Sequence, residues 1–177
     1  MTTIRPFETG DLFKICKINL DNFTETYNLS FYMQYLLYWP ELCLVAENMR
    51  GELMAYILGK TEGEGENYHG HITAVSTDPD FRRLGIAGLL MRQLEVVFNR
   101  YECYYVDLFV RISNTTAVET YKSLGYVVYR RVIDYYSGEN DEDAYDMRKP
   151  LLADVGKRSI RPTKAVVPPQ ELYVEDV

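Results

Sequence analysis

The chain has 177 residues, of which 47% are hydrophobic and 25% are charged, a composition typical of a folded globular protein. A formal net charge of −7 argues against generic binding to nucleic acid, and the length favours a single domain. The longest uncharged stretch, residues 26–40, is shorter than the ~20 residues that a membrane-spanning helix needs, so we expect no membrane segment.

The N-terminus and the cysteines indicate a cellular compartment. The first residues contain no apolar run behind a basic cap, so we expect no secretory signal peptide. Cys16, Cys43 and Cys103 are scattered and form no C-x-x-C pair, which argues against a disulfide framework and against a zinc site. These features are typical of a protein of the reducing cytoplasm, and we expect that location here.

Strand and helix patterns alternate in the first part of the chain, which predicts an α/β fold. A helix is predicted over 11–19, with Asp11 as its capping residue after Gly10. A second helix is predicted over 31–38 and must end at Trp39-Pro40. The predicted strands of this part lie at 3–5, 42–47, 52–60 and 68–77.

The second part contains the clearest helix, in which apolar side chains recur at helical spacing from Ala87 to Phe98. Another amphipathic helix is predicted over 114–124, with Gly125 as its C-terminal cap. Further strands are predicted at 103–110, 127–135 and 144–149, the first of them central in the sheet because it is apolar on both faces.

The regular pattern fades after residue 150. We therefore expect one domain over residues 1–150 and, over 151–177, a C-terminal extension that is extended or partly ordered. An acidic turn is predicted at 139–143, between the last two strands.

Residues 82–87, Arg-Arg-Leu-Gly-Ile-Ala, stand between a strand end and the start of the clearest helix. The first turn of a helix presents unpaired backbone N–H groups and a partial positive charge. Gly85 leaves the backbone open to close approach, and Arg82 and Arg83 add fixed positive charge. The pattern predicts a diphosphate-binding site, with an ordinary charged helix start as the alternative. It lacks both the Lys-Ser/Thr ending of a P-loop and the three glycines of the dinucleotide fingerprint.

A second pattern, Asn114, Ala117, Tyr121 and Gly125-Tyr126, follows one predicted strand later. Together with residues 82–87, its order and spacing resemble the acetyl-CoA-binding signature of the GNAT acetyltransferases. Asn114 could bond the cofactor or only cap the helix that it begins. Tyr121 lies on an apolar face, where it could act chemically or only pack in the core.

Six shorter segments make the family resemblance more specific: 24–27 (TETY), 31–36 (FYMQYL), 70–74 (GHITA), 107–111 (DLFVR), 133–137 (IDYYS) and 142–149 (EDAYDMRK). Over nearly the whole chain the sequence resembles the catalytic subunits of the eukaryotic NatB N-terminal acetyltransferases. The resemblance implies a mixed central sheet of about seven strands flanked by about four helices. It also implies transfer of acetyl from acetyl-CoA, without a metal, by direct attack in a ternary complex. The substrates would be nascent chains that begin Met-Asp, Met-Glu, Met-Asn or Met-Gln.

The resemblance also implies roles for individual residues at the cofactor. The pantetheine arm of acetyl-CoA would pair with the strand near Val75 and Thr77, and Asn114 would lie beside the cofactor. Tyr121 matches the tyrosine that serves as general acid for the departing thiolate. The diphosphate would be bound by Arg82, Arg83, Gly85, Ile86 and Ala87.

The general base is the less defined part of the catalytic machinery. Related N-terminal acetyltransferases use a tyrosine and a histidine on two strands, where this chain has His71 and Phe109, so the second base is absent. His71 is the candidate base, directly or through water, with a hydrogen-bonded structural histidine as the alternative. The demand on a base is modest, because an α-amine with a pKa of ~7.7–8.0 is partly neutral near pH 7.

Recognition of an acidic or amide second side chain needs hydrogen-bond donors. His71 and Thr73 are two residues apart on a predicted strand, so they face the same side and both offer donors. A role for His71 as neutral base competes with a role as charged anchor.

The resemblance places Glu25 near the substrate backbone, with a solvated loop carboxylate as the alternative. It also makes Tyr27, Tyr135 and Tyr136 walls of the peptide channel. In a continuous strand Tyr135 and Tyr136 would point to opposite faces, so one of the two is expected to line the channel.

Residues 31–39 are apolar almost all round, a pattern typical of a helix covered on several sides. One sheet covers one side, so we expect an exposed patch that a partner covers, with burial beneath the domain's own loops as the alternative. The resemblance implies that the partner is a large helical-repeat auxiliary subunit and that the pair acts at the ribosome on nascent chains.

Two other function classes stay open. A GNAT acetyltransferase for lysine side chains or small amines would suit the acidic chain. A non-catalytic subunit that binds CoA or peptide is the other, and the presence of Arg83, Gly85, Asn114 and Tyr121 argues against it.

Overall fold

A computed structural model describes residues 1–20, 25, 27–138, 141–162 and 164–172. The α-helices are α1 (Leu29–Tyr38), α2 (Ile86–Arg100) and α3 (Thr115–Ser123). The strands are β1 (Thr2–Pro6), β2 (Cys43–Asn48), β3 (Leu53–Glu62), β4 (His69–Thr77), β5 (Tyr105–Arg111), β6 (Val127–Tyr136), β7 (Glu142–Pro150) and β8 (Val166–Val167). None of the helices in these ranges has the length and apolar character needed to cross a bilayer.

The strands form one mixed sheet in the order β1-β2-β3-β4-β5-β7-β6-β8. The β4–β5 and β6–β8 pairs are parallel and the other pairs are antiparallel. β5 lies between β4 and β7, which confirms its predicted central position. The α/β class is confirmed, with eight strands and three α-helices in the described ranges where about seven and about four were expected.

The two faces of the sheet are covered by different helices. Alternate residues of β3 face opposite sides, so Ile57 joins the cluster under α2 and Tyr56 joins the cluster under α1. α2 lies so close to the sheet that a Cβ at Gly70 would be 2.5 Å from the Phe98 ring. Glycine at that position therefore sets the distance between helix and strand.

β4 and β5 diverge in the middle of the sheet. They pair over His69–Ile72 and Tyr105–Leu108, after which β4 continues to Thr77 and β5 to Arg111 without further pairing between them. A register shift between Leu58 and Gly59 of β3 accompanies this divergence. The opening between the two strands positions the site described below.

The prediction of a helix over 11–19 is wrong. The segment contains two 3₁₀ turns, Thr9–Phe13 and Ile18–Leu20, and Glu8 is the capping residue of the first. The Asp11 side chain, which was expected to cap a helix, is buried and accepts hydrogen bonds from the Glu8 backbone N–H (3.0 Å) and from Arg5 (2.7 Å). This tertiary ion pair, rather than local helix propensity, decides the conformation at Asp11.

The residues after 150 supply the eighth strand. β8 lies parallel to β6, where Val167 is buried. Upstream of it, the Asp154 carboxylate accepts hydrogen bonds from the backbone of Arg158 and Ser159. The predicted acidic turn at 139–143 falls partly on residues outside the described ranges, since 139 and 140 are not among them.

The sequence predicted that residues 31–39 carry an exposed apolar patch, which can be compared with the exposure of the α1 side chains. Tyr32 and Tyr35 are buried against the sheet, whereas Leu29 and Leu37 are 63% and 72% exposed, and Met33 between them is 41% exposed. These three side chains recur every four residues, so they form one outward row on α1.

Candidate functional site

A cavity of about 700 Å³ occupies the opening between β4 and β5. It extends from the start of α2 at one end to the loop at Glu25 and the end of β6 at the other. All residues that the sequence predicted for the site line this one cavity: Glu25, Tyr27, His71, Thr73, Val75, Thr77, Arg82, Arg83, Gly85, Ile86, Ala87, Asn114, Tyr121, Tyr135 and Tyr136.

The α2 end of the cavity is built largely from backbone. Gly85 precedes the helix with φ +76°, a left-handed conformation that favours glycine, and Arg83 also has a positive φ of 62°. A Cβ built on Gly85 would meet no atom within 4 Å, so the backbone there faces open space. The first N–H groups of α2 therefore face a space that an anionic group can enter.

The β4 wall offers a second run of backbone groups. β4 pairs with β3 as far as Thr77, but within the described residues no strand pairs with its other edge beyond Ile72. Val75 and Thr77 lie in this unpaired part and line the cavity. An extended ligand chain can therefore add to this edge as a strand would.

Asn114 and Tyr121 lie on the opposite wall, at the start of α3 and two turns into it. The Asn114 side chain caps the helix by accepting a hydrogen bond from the Ala117 backbone N–H at 3.2 Å. The Tyr121 ring packs against the main core, and burial raises the pKa of Tyr121 to about 12. Its hydroxyl is therefore protonated at neutral pH and can donate a proton into the cavity.

His71 is held by a carboxylate that the sequence analysis did not assign to the site. Its Nδ1 lies 2.8 Å from Oδ1 of Asp107, which is directly opposite on the parallel strand β5. Burial alone would raise the pKa of Asp107, but the attraction and hydrogen bond of His71, with the charges of His69 and Arg148, hold the pKa below its usual value. The site therefore contains an ionised carboxylate behind the candidate base.

Both β6 tyrosines line the cavity, because β6 is not the continuous strand in which only one of them would do so. The register of β6 against β7 shifts between Val132 and Tyr136, and Asp134 has φ +49°. This bulge breaks the strand alternation and turns both rings inward. Tyr135 stacks on Phe109 with ring centroids 4.7 Å apart, and the Tyr136 hydroxyl donates to the Phe109 carbonyl at 3.3 Å.

Arg111, which sequence reasoning also missed, connects the loops at this end of the cavity. Its guanidinium donates to Glu25 at 2.6 Å and to Glu142 at 3.1 Å, and it lies 4.0 Å from the centre of the Tyr136 ring. Glu25 is thus an ion-pair partner in the described structure, while Thr24 and Thr26 beside it lie outside the described residues. One arginine ties the segment before α1 to the start of β7.

Thr73 and Tyr27 link the cavity to α1. The Thr73 hydroxyl lies 2.7 Å from the Tyr35 hydroxyl, and the Tyr27 ring stacks on Phe31 at 4.0 Å. His71 and Thr73 both line the cavity, as does Ile72 between them. The end of the cavity opposite the start of α2 is thus assembled from β4, β5, β6, α1 and one loop.

Comparison with known proteins shows to which family this chain belongs. The model of the acetyltransferase (GNAT) family matches residues 12–126. N-alpha-acetyltransferase 20 of Dictyostelium discoideum is 57% identical over 97% of this chain and 98% of its own length. The N-terminal acetyltransferase B complex catalytic subunit of Arabidopsis thaliana is 51% identical over the same share of each chain. The chain belongs to the GNAT acetyltransferases, in the branch of the NatB catalytic subunits.

Solved structures agree with this placement. The Chaetomium thermophilum Naa20 structure in complex with a bisubstrate analogue matches with a TM-score of 0.89 and 45% identity, covering 95% of this chain and 97% of that one. A NatB acetyltransferase complex bound to a bisubstrate inhibitor matches with a TM-score of 0.85 and 37% identity over 96% and 98%. The predicted resemblance is confirmed.

As a NatB-type GNAT enzyme, this chain is an N-terminal acetyltransferase that uses acetyl-CoA as its cosubstrate. The start of α2 and the free edge of β4 fit the diphosphate and the extended arm of that molecule in chemical character. Within the described part of the chain, no group of three or more His, Cys, Asp or Glu side chains is arranged to hold a metal ion.

The sequence contains a feature by which Asp107 could have been identified as a site residue. Asp107 is a lone carboxylate within the apolar run Tyr105 to Val110, where a charged side chain is buried only with a partner. Identifying that partner as His71 requires the parallel register of β4 and β5. Arg111 carries no comparable signal, because a charged residue at a strand end is ordinary.

Proposed function

We propose that this chain acetylates the α-amine of nascent polypeptides that begin Met-Asp, Met-Glu, Met-Asn or Met-Gln, as the catalytic subunit of a NatB-type complex in the cytoplasm. The observation that carries the proposal is the single cavity, which has a backbone-rich anion site at one end and a polar, aromatic pocket at the other. Such a cavity can hold an acyl donor and a peptide terminus together in a ternary complex.

The cofactor end supplies binding and electrostatics. Arg82, Arg83 and the backbone from Gly85 to Ala87 would bind the diphosphate, and the β4 edge near Val75 and Thr77 would bind the extended arm. Asn114 shapes α3 beside this site through its capping bond. Bound acetyl-CoA supplies the thioester that the amine attacks.

Tyr121 is proposed as the general acid. Its hydroxyl carries a proton at neutral pH and, within the described residues, has no hydrogen-bond partner of its own. It is therefore free to protonate a thiolate that leaves within the cavity. A Phe substitution would remove this proton while keeping the ring.

His71 is proposed as the general base. Nδ1 is engaged by Asp107, which leaves Nε2 to take a proton from the substrate amine, directly or through water. Phe109 at the second position cannot accept a proton, so any base catalysis at these two positions falls to His71.

Thr73 and His71 are proposed to distinguish the second substrate side chain. An amide there can donate to the unprotonated Nε2 of His71, and an amide or carboxylate oxygen can accept from the Thr73 hydroxyl when Tyr35 donates to it. Leucine offers neither bond, and a buried polar group that loses a hydrogen bond costs about 1–3 kcal/mol. The ring of Tyr27 and the rings of Tyr135 and Tyr136 would bound the peptide, and Glu25 would lie near its backbone.

The outward row of α1 is proposed to contact the auxiliary subunit. Leu29, Met33 and Leu37 form an apolar strip, and Phe13 and Leu20 before it are 85% and 80% exposed. Apolar side chains in one exposed strip are typical of a protein interface. The related structure of a NatB acetyltransferase complex further supports a partner subunit. We propose that this partner is a large helical-repeat protein and that the pair acts at the ribosome.

A peptide panel tests the proposal. The chain, with and without a co-purified auxiliary subunit, is assayed on Met-Asp, Met-Asn and Met-Leu peptides and on a lysine peptide with a blocked N-terminus. We expect Met-Asp and Met-Asn to be acetylated at least tenfold faster than the other two. Faster acetylation of the lysine peptide would contradict it, as would acetyl-CoA binding without turnover on any peptide when the partner is present.

Variants sharpen the assay. Thr73→Ala is expected to lower the preference for Met-Asp over Met-Leu, and equal loss on both peptides would show that Thr73 does not recognise the second side chain.

Leu37→Lys is expected to weaken capture of the auxiliary subunit. Val155→Lys is the matched control, because Val155 is 90% exposed and lies outside α1. Equal capture by both variants would exclude α1 as the docking surface.

A further inference from the structure

Asp107 is a buried carboxylate in the middle of β5, with a side chain 6% exposed. Burial of an ionised carboxylate is costly unless hydrogen bonds and opposite charges compensate. The register places its main partner directly beside it, because His71 of β4 is opposite Asp107 in the parallel pair. The 2.8 Å contact between Oδ1 and Nδ1 is short and direct.

Other charged groups face this pair from the neighbouring strands. On β3, Lys60 is opposite His71, and Lys60 is ion-paired with Glu62. On β7, Arg148 is opposite Asp107 and is held mainly by Asp146.

The second carboxylate oxygen of Asp107 has a looser contact. Its Oδ2 lies 3.7 Å from Nε2 of His69, and the same Nε2 lies 3.5 Å from Glu62. Both distances exceed a hydrogen bond, whereas the His71 contact does not. Of the two histidines, His71 is therefore the one that Asp107 orients.

The chemistry of the contact determines which nitrogen of His71 carries the proton. An ionised carboxylate accepts hydrogen bonds and cannot donate them. Nδ1 of His71 must therefore carry the hydrogen, and in the neutral ring Nε2 then has a free lone pair. The ring lines the cavity, where a proton acceptor is needed.

We propose that Asp107 is the positioning residue for His71, which it holds in the tautomer with an unprotonated Nε2 and whose positive charge it stabilises after proton uptake. The proton passes from the substrate nitrogen to Nε2 as the N–C bond forms, while the Nδ1 hydrogen stays on the ring. The C–S bond of the thioester breaks, and the leaving thiolate takes the proton of the Tyr121 hydroxyl. Nε2 then releases its proton to solvent, from which the Tyr121 hydroxyl is protonated again. The inference rests on the proposed role of His71 as base.

The first experiment measures the tautomer without any need for activity. The chain has two histidines, so long-range ¹H–¹⁵N correlation spectra of the full chain contain two imidazole patterns, which His69→Asn assigns. We expect His71 to show a protonated Nδ1 and an unprotonated Nε2 in the wild type near pH 8. In Asp107→Asn we expect a mixture of the two His71 tautomers, because the asparagine amide can either accept a hydrogen bond from Nδ1 or donate one to it.

The second experiment measures catalysis. In Asp107→Asn, we expect kcat/KM for a Met-Asn peptide to fall about tenfold at pH 7.5, and the acid limb of the pH profile to move to lower pH. Asp146→Asn is the matched control, because it removes another buried carboxylate from the neighbouring strand that makes no contact with His71. Both variants are expected to lower the melting temperature, but only Asp107→Asn is expected to move the acid limb.

The outcomes separate this inference from the proposed function. If His71→Ala leaves the rate unchanged, His71 is not the base and the inference fails with it. If His71→Ala lowers the rate but the His71 tautomer and the acid limb of Asp107→Asn match those of the wild type, Asp107 has a structural role and the inference alone is overturned. A His71 ring with a protonated Nε2 in the wild type near pH 8 also overturns it.

Discussion

The two ends of the cavity are built in different ways. At the α2 end, the groups that face the space are backbone N–H groups and two arginines from one short segment, Arg82 to Ala87. At the opposite end, which is the proposed peptide end, they are side chains from β4, β5, β6, α1 and a loop, connected by ion pairs and ring stacking. One end depends on local backbone conformation and the other on long-range side-chain contacts.

Because the two ends are built differently, we expect substitutions at each end to have different effects. A substitution that changes the backbone preference at the α2 end should weaken acetyl-CoA binding without changing peptide binding. A change of charge at the peptide end should affect peptide binding and its pH dependence. Tyr121 lies on the wall between them and should affect turnover.

Tyr121→Phe is expected to have the largest effect. Loss of the proton donor should lower kcat about 100-fold, the lower limit of the usual contribution of general acid catalysis. Acetyl-CoA affinity, measured by titration calorimetry, should change less than threefold, because the ring still packs in the core. An unchanged kcat would remove Tyr121 as the acid.

Gly85→Ala tests the backbone-built end. A left-handed conformation costs an alanine about 1–2 kcal/mol, so acetyl-CoA binding should weaken about tenfold if the loop relaxes to avoid the strain. The peptide KM should stay within twofold. Gly10→Ala is the matched control, since its Cβ also meets open space but its φ is not positive. Equal effects of the two variants would contradict the assignment.

Arg111→Lys tests the peptide end. Lysine keeps the charge but cannot bond Glu25 and Glu142 together while stacking on Tyr136. We expect the peptide KM to rise about threefold with an unchanged KM for acetyl-CoA, because exposed ion pairs contribute little individually. A rise in the acetyl-CoA KM instead would show that the two ends are not separate.

His69→Asn is expected to have the smallest effect, on stability and its pH dependence. Burial alone would lower the pKa of His69, but Glu62 and Asp107 outweigh it and raise the pKa. The stabilisation is therefore complete below the unfolded pKa of ~6.5 and is lost as the pH rises through the folded value. We expect the variant to melt about 2 °C lower than the wild type at pH 5.5 and at nearly the same temperature at pH 9. A difference that is larger at pH 9 would contradict this account.

The α/β class, most strand positions and the residues at the α2 end of the cavity could be predicted from the amino-acid sequence alone. These depend on patterns within short segments: the apolar period of α2, the β-forming runs, and the contiguous residues from Arg82 to Ala87. The helix expected over 11–19 failed because the Asp11 carboxylate is drawn into an ion pair with Arg5, six residues away. Local propensity cannot anticipate such a contact.

The side-chain contacts at the opposite end of the cavity could not be predicted from the sequence. The pairing of Asp107 with His71 depends on the parallel register of β4 and β5, and the inward turn of both β6 tyrosines depends on a bulge. The link from Arg111 to Glu25 joins residues 86 positions apart. Such contacts are set by how strands align across the sheet, because one residue of shift would move every side chain to the other face.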